Sequence, residues 1–561
     1  MTELPPQVLN PERRARFEND PIDGQAFKEL AQAGLAWLRT NAANVNALNV
    51  FPVPDGDTGT NMVLTMDAAV KEIADSPDHN AGKISQSLAH GALMGARGNS
   101  GVILSQLMRG FARTLQDKPV LTIDLFATAF AEARDTAYRG VVKPVEGTIL
   151  TVSKDMAAAA EKARQTAGNV VVLLEDVVRE GAASVERTPE LLPILKQAGV
   201  VDAGGKGLYF IIEGMLRYIN GQSLDTAEIT LQPLSAMELE GAMEEVEEGQ
   251  DYEVIVDFRP ERALDLPKFY GRLEEMGTSI QVGEGDGLYR VHIHVPTENR
   301  YLPVDYAMSI GTITKVHIEN LMIQVESGGE SGEGKLHLSP LEPGQIAVVA
   351  VSPGAGISRV FAGFEVAAIV EGGQTMNPST QEILAAFENL PTDKVIILPN
   401  NKNIILAAKA TADLTVKQVA VIPSRTIPQG LAAMLTFDRD GDFDDTVEAM
   451  EEALDSVECG EITTATRTVE IDGVQVKEGQ IIVLHNGKLV AASSDLWGGC
   501  QAFLDEAGAS DCEIVTLFYG GDVTKRTAAE IADKIRETYD HLEVEIQEGN
   551  QPHYQFIISM E

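Results

Sequence analysis

Cysteine is scarce in this chain, with Cys459, Cys500 and Cys512 the only three among 561 residues. None is paired at CxxC spacing, so neither a disulfide framework nor a zinc knuckle is suggested, and a reducing cytoplasm is the expected setting. The chain also lacks any run of about 18 apolar residues, the length a helical membrane span requires, so no span is expected. Its first residues, MTELPPQVLNPERRARFEND, are polar and charged and hold no apolar signal core. Positive charge is in short supply, with 44 Lys and Arg against 84 Asp and Glu and a formal charge of −40. Nucleic acid and anionic lipid need clustered Lys and Arg, so such a surface excludes them as partners. Two phosphate signatures are missing as well: no Walker A GxxxxGK[ST] and no GxGxxG occurs. A polyanionic ligand would therefore need local neutralisation, most simply by a divalent cation.

What is present is the material of globular domains. The chain is too long for one core, and about three domains are expected. Residues 21–222 read as helical. Val63, Met66, Val70 and Ile73 recur at helical spacing, as do Leu104, Met108, Phe111 and Leu115, then Leu208, Ile212, Met215 and Ile219. Residues 235–250 are acidic and read as a linker helix. Alternation begins at Tyr252, Val254, Val256 and Phe258, and the order that follows reads βαββαβ across a middle domain, residues 250–325. ESGGESGEGK (326–335) has linker composition. From residue 340 to 561 buried-strand runs alternate with helices: IAVVAV (346–351), VAAIV (366–370), KVIIL (394–398) and QVAVI (418–422). That alternation predicts an α/β domain with a mostly parallel sheet. The segment 460–494 is richer in strand signals.

Chemistry concentrates in glycine-rich loops that open helices. In LNVFPVPDGDTGTNM (48–62), Asp55 and Asp57 flank Gly56 on a loop that Pro52 and Pro54 stiffen. Two carboxylates there suit a magnesium site that also takes phosphate oxygens. Thr60 or Asn61 is the expected start of the next helix. In GARGNSGVILSQ (95–106) a glycine turn enters a helix that Asn99 or Ser100 would cap, with N–H groups for an anion and Arg97 for charge. In VDAGGKGLYF (201–210) Asp202 precedes another apolar helix; it could bond a ribose or base, and Lys206 could touch phosphate.

These segments, with VEGTILTV (145–152), resemble the nucleotide-binding domain of dihydroxyacetone kinase. They resemble more closely the kinase subunit of bacterial fatty acid kinase, which carries that domain at its N-terminus. GGQTMNPST (372–380), LPNNKNI (398–404) and VIPSRTIPQGLAAM (421–434) are similar to that subunit's C-terminal domain. The resemblance spans essentially the whole chain. It implies a multidomain α plus α/β protein: an all-helical barrel over 21–222 binding ATP and two magnesium ions, a small middle domain, and a C-terminal domain that docks a carrier. Asp55 and Asp57 match the metal-binding aspartates, with Asn49 a further candidate ligand. Asp55, Asp57 and Arg97 are the implied catalytic set. Thr58, Gly59, Asn61, Asn99, Ser100, Gly101, Thr148, Asp202 and Gly204 fall in the nucleotide-contact segments. Thr58 stands where the sugar kinase pattern has His, which favours the fatty-acid branch.

The implied reaction is ATP-dependent phosphorylation of a fatty acid carboxylate, presented by a separate fatty-acid-binding protein, to give an acyl phosphate. An acceptor carboxylate, by analogy with Glu at about 4.3, is already ionised at neutral pH and needs no general base. Positioning and charge neutralisation are then the main burden. Two alternatives remain: a self-sufficient small-molecule kinase and a nucleotide-responsive scaffold without turnover. The oligomeric state, a homodimer among the options, is not set by the sequence. In the middle domain, His292 and His294 lie two apart on a strand and share a face. Family members place a Cys nearby that would suit zinc; here Glu253 is the available substitute, and His317 is either a third partner or unrelated.

Overall fold

A computed structural model describes residues 8–49, 56–141, 143–224, 232–233, 251–262, 264–285, 288–320, 338, 341–471 and 473–561. The chain forms two compact units, one joining the N-terminal helices to the C-terminal α/β region and the other formed by the middle segment.

The N-terminal region is helical: α1 (Pro11–Asn19), α2 (Gly24–Thr40), α3 (Ala42–Asn46), α4 (Thr58–Ile73), α5 (Ala81–Met94), α6 (Gly98–Thr114), α7 (Ile123–Gly140), α8 (Ile149–Ala163), α9 (Val170–Leu191), α10 (Pro193–Ala198) and α11 (Ala203–Asn220). The periodic positions read from the sequence face inward. Met66, Ile73, Leu104, Leu115 and Ile219 are buried, and Val63, Val70, Met108 and Phe111 pack against the same core. Trp37 anchors it, fully buried, with its indole N–H donating to Glu213 at 2.7 Å and the Arg217 guanidinium 3.8 Å over the ring. Truncating such a side chain to Ala costs about 3–5 kcal/mol.

The middle unit holds β1 (Gln232–Pro233), β2 (Tyr252–Pro260), α12 (Leu266–Glu274), β3 (Thr278–Gly285), β4 (Leu288–Val295), α13 (Leu302–Ile310) and β5 (Gly311–Asn320). Its sheet runs β1-β3-β4-β2-β5 around a core of Val254, Val256, Phe258, Phe269 and Ile293. The expected linker helix at 235–250 and the ESGGESGEGK segment lie outside the described residues.

The C-terminal region begins with β6 (Ile346–Ser352), α14 (Ala355–Gly363), β7 (Ala368–Glu371), α15 (Thr380–Glu388), β8 (Lys394–Leu398), α16 (Ile405–Ala412) and β9 (Gln418–Val421). These strands form an all-parallel sheet, β7-β6-β8-β9. Every residue of β6 is buried, as expected when helices cover both faces. Then come α17 (Ile427–Leu435), α18 (Phe443–Glu452), β10 (Glu458–Thr464), β11 (Val469–Ile471), β12 (Val474–Val476), β13 (Ile481–His485), β14 (Lys488–Ser493), α19 (Leu496–Glu506), β15 (Ile514–Tyr519), α20 (Lys525–Thr538), β16 (Glu543–Glu548) and β17 (Tyr554–Met560). Of these strands, six build a mixed second sheet, β14-β13-β10-β17-β15-β16, in which only β15 and β16 run parallel. A mostly parallel C-terminal sheet therefore describes only the first half of that region.

Candidate functional site

Four helix starts meet at one end of the helical region, and close glycine contacts bring them there. A Cβ on Gly98 would lie 2.7 Å from Asn61 Nδ2, and one on Gly101 would lie 2.3 Å from Thr65 Oγ1, so the first turn of α6 lies on the first two turns of α4. A Cβ on Gly207 would sit 2.6 Å from Met62 Sδ, which joins α11 to α4. A Cβ on Gly205 would sit 2.7 Å from Val152 Cγ2, which joins α11 to α8. Gly204 likewise faces Ile149.

The helix starts differ in how their N–H groups are used. The sequence places the start of α4 at Thr60 or Asn61; the helix begins at Thr58 with Asp57 as N-cap. Asp57 makes no side-chain cap bond. Asn46 caps from α3 instead, its Oδ1 accepting from Gly59 N at 2.7 Å and Thr60 N at 3.3 Å. Gly59 is required for that approach, since its Cβ would meet Ala42 O at 2.4 Å. Helix α8 is capped by Thr148, whose hydroxyl accepts from Leu150 N at 3.3 Å and donates to Val145 O at 2.8 Å. Helix α11 is capped by Asp202, whose Oδ2 accepts from Gly205 N at 2.6 Å. Desolvation pushes the Asp202 carboxyl up to about 6, against backbone N–H bonds from Gly205 and Ile149.

Helix α6 is the exception. It starts at Gly98, so Arg97 and not Asn99 or Ser100 is the N-cap, and no side chain caps it. Gly98 has φ +57°, a left-handed backbone that a side chain would strain. An uncapped helix start with a glycine turn is suited to an anion, because its first N–H groups point outward along the positive end of the helix dipole. Asn99 and Ser100 lie in that first turn, both half-buried, and the Asn61 side chain beside it is buried.

The C-terminal region closes over this end. Residues that follow parallel strands lie at the carboxyl edge of the sheet, where open α/β folds place their ligand loops. The loops after β7 and β8 reach the helices. Asn377 Nδ2 donates to Asp57 Oδ2 at 2.5 Å. Arg97 donates to Asn377 O at 3.0 Å and to Glu382 Oε1 at 3.1 Å. Asn99 Nδ2 donates to Asn403 Oδ1 at 3.2 Å, and Thr380 N donates to Ala96 O at 3.2 Å. Burial disfavours the Glu382 carboxylate, yet the Ser379 N–H and the Arg97 charge hold its pKa below the usual glutamate value. Ala96 and Val102 belong to the same apolar core as Val349, Ile397 and Ile404.

Among the other sequence candidates, Asn49 lies in a turn after α3, its N–H bonded to Asn46 O at 3.1 Å. Asp55 lies outside the described residues. Lys206 sits 5.1 Å and 5.0 Å above the rings of Tyr209 and Phe210 on its own helix. Asn46, Asn377, Glu382 and Asn403 were not among the sequence candidates. Nothing local to the DGD loop marks them, although Asn377 lies in GGQTMNPST and Asn403 in LPNNKNI, two of the segments that carry the family resemblance.

Comparison with known proteins fits these parts. A DAK2 domain model matches residues 52–217. Models of the FakA-like fatty acid kinase family match 249–328, as its middle domain, and 347–561, as its C-terminal domain. Protein YloV of Bacillus subtilis is 40% identical over 552 residues, covering 96% of this chain and 99% of its own. The chain belongs to the FakA-like fatty acid kinase family. Membership places it among phosphotransferases. Two solved structures are more distant. The dihydroxyacetone kinase from C. freundii in complex with AMP-PNP and Mg2+ is 21% identical, with TM-score 0.27, covering 38% of this chain and 37% of that one. The Streptococcus pneumoniae Fatty Acid Kinase (Fak) B3 protein loaded with linoleic acid is 15% identical, with TM-score 0.26, covering 33% of this chain and 76% of that one.

The zinc expectation finds no support in this family member. The rings of His292 and His294 lie 5.1 Å apart on β4, both buried. Burial, with a contribution from His294, pushes His292 down to about 4. Among the described residues no group of three or more His, Cys, Asp or Glu could hold a metal ion. The side chains of Glu253 and His317 are outside that description. No described helix is long and apolar enough to cross a membrane.

Proposed function

We propose that this chain transfers the terminal phosphoryl group of ATP to a fatty acid carboxylate held by a separate fatty-acid-binding protein, giving an acyl phosphate. The observation that carries the reading is the uncapped start of α6, which Asn377 joins to the Asp57 carboxylate, itself relieved of capping by Asn46. The helix start suits phosphate oxygens, and the carboxylate suits a divalent cation. The donor set fits magnesium, which takes oxygen ligands, and Asp57 with Asp55 would hold it, with Asn49 as a further candidate. When bound, magnesium supplies charge neutralisation at the phosphates.

The chain's own residues then position and exclude. The N–H groups of Gly98, Asn99 and Ser100 face the phosphates, and Gly98 and Gly101 keep that turn close to α4. Thr58, Gly59 and Asn61 form the neighbouring wall. Thr148, Asp202 and Gly204 shape the far side, where the Thr148 and Asp202 side chains act first as helix caps. Arg97 is paired with Glu382, so its role is to tie the phosphate turn to the C-terminal region as well as to add charge. No base is assigned, because the acceptor is already ionised near neutral pH.

The test measures ATP consumption and acyl phosphate formation by the full chain, with a fatty-acid-loaded carrier, with free fatty acid and with dihydroxyacetone. Turnover that requires the loaded carrier is expected. Equal turnover on free fatty acid would refute the two-component reading. Turnover on dihydroxyacetone alone would establish the sugar kinase reading instead. A truncation to residues 21–222, which lacks Asn377 and the sheet core around Ala96 and Val102, is expected to bind ATP more weakly than the full chain and to fail on the carrier-bound acyl group.

A further inference from the structure

The polar strap between β7 and α15, residues 372–379, belongs to the C-terminal domain but ends at the nucleotide site. It is pinned along its length. Gly373 N donates to Met376 O at 3.0 Å and closes a turn. Gln374 Oε1 accepts from Asn401 Nδ2 at 2.8 Å, and the Thr375 hydroxyl lies 2.9 Å from His553 Nε2. Ser379 and Glu382 then form a capping box that starts α15. A strap fixed at both ends holds Asn377 in one place, 2% exposed.

The Asn377 amide has one fixed orientation. The Asp57 carboxylate can only accept, so Nδ2 must face its Oδ2. That choice leaves Oδ1 as the other arm of the same amide, and among the described residues this buried oxygen has no hydrogen-bond partner. A buried amide oxygen without a donor is costly, so an orphan beside a carboxylate marks a place where a donor belongs. Gly98 lies below it: a Cβ there would come within 3.7 Å of Asn377 Nδ2. The Asn377 amide therefore stands between the Asp57 carboxylate and the Gly98 turn.

We infer that Asn377 is a positioning residue of the divalent-cation site: its N–H fixes the Asp57 carboxylate, and its Oδ1 accepts a hydrogen bond from a water in the cation's hydration shell. The inference rests on the phosphotransferase reading above. Magnesium keeps several of its waters when protein-bound, and those waters donate. Residues that orient a ligand carboxylate are worth about 10–100-fold in metal affinity. The cation site would thus be completed by a residue 320 positions away in sequence, on another domain.

The test is calorimetric titration of the full-length chain with AMP-PNP, first without metal and then across a magnesium series, on wild type, N377A and T375V. Thr375 holds the strap through His553 and does not touch Asp57. N377A is expected to need about tenfold more Mg2+ for half-maximal nucleotide binding, with metal-free affinity unchanged. T375V is expected to match wild type. A wild-type magnesium dependence in N377A would overturn the positioning role and leave the nucleotide reading intact. An equal loss with and without metal, shared by T375V, would overturn it in favour of simple strap packing. Wild-type protein showing no magnesium-dependent nucleotide binding would remove both readings. N377S is measured in parallel and read the same way should N377A not fold.

Discussion

Replacing Asp202 by Asn isolates one electrostatic cost at the rim of the site. The carboxyl caps α11 through Gly205 N at 2.6 Å, yet desolvation raises it from 3.8 to about 6. A group whose folded pKa lies above its unfolded value gives stability that is complete below the unfolded pKa and is lost as pH rises through the folded one. At about 1.36 kcal/mol per unit, the ionised form therefore costs the folded state ~3 kcal/mol at pH 8. At pH 5.5 the same expression gives ~2 kcal/mol, because part of the folded population is protonated there. Asn keeps the cap, since it ranks with Asp at N-cap positions, and it does not titrate. Wild type should therefore gain about 1 kcal/mol relative to D202N between pH 8 and pH 5.5, some 2–4 °C in the apparent midpoint of a helical region this size. The assay is thermal unfolding of both full chains without nucleotide, kept above the sequence pI of 4.5 to avoid precipitation. A midpoint difference that stays flat, or moves in favour of D202N on acidification, would refute the desolvation argument.

Three further outcomes are expected. Asp57→Ala should cut phosphoryl transfer below a tenth of wild type in a chain that still folds, because Asn46 and not Asp57 caps α4, with stability lowered by about 1–3 kcal/mol through the buried Asn377 donor left without its acceptor; residual activity above that level, read in the acyl phosphate assay, counts against the metal role. Asn46→Ala should do the reverse in part, lowering stability by about 1–2 kcal/mol through the lost cap, measured as a fall in midpoint. Gly101→Ala should both destabilise, by about 1–3 kcal/mol, and weaken AMP-PNP binding, since its methyl would stand 2.3 Å from Thr65 Oγ1; unchanged nucleotide affinity in calorimetry would show that the α6 turn is not part of the site.

Local physics made the helices legible. Periodic apolar residues such as Met66, Ile73 and Leu104 must face a core wherever the core comes from, so spacing alone reveals them. Helix starts were less legible. Neighbouring residues suggested Thr60 or Asn61 as the start of α4 and Asn99 or Ser100 as the cap of α6, whereas the helices begin at Thr58 and Gly98. The first cap comes from Asn46, on a separate helix, and the second helix has none, so rules based on adjacent residues miss both. KVIIL matched β8 residue for residue, while VAAIV exceeded the short β7 because Val366 and Ala367 pack in the core before the ladder begins. The contacts of Asn377 and Glu382 with the DGD and GARG segments were invisible, since nothing in a linear sequence says which strand end faces which helix.

The burial of Ala96 and Val102 in the core of the parallel sheet makes the glycine turn at the start of α6 a thermodynamic dependant of another domain. From Gly101 onward, where the N–H groups of α6 become bonded, its amides can exchange with solvent only as readily as that shared core loosens, and so they carry the protection of the α/β region as well as of the helices. A cavity cut at Ile404, far along the chain, would be felt as a loosening of the Gly98 turn. Grafting the α/β domain of a relative onto these helices would succeed only if its residues meet Ala96 and Val102 with matching shape, so the two modules must diverge together.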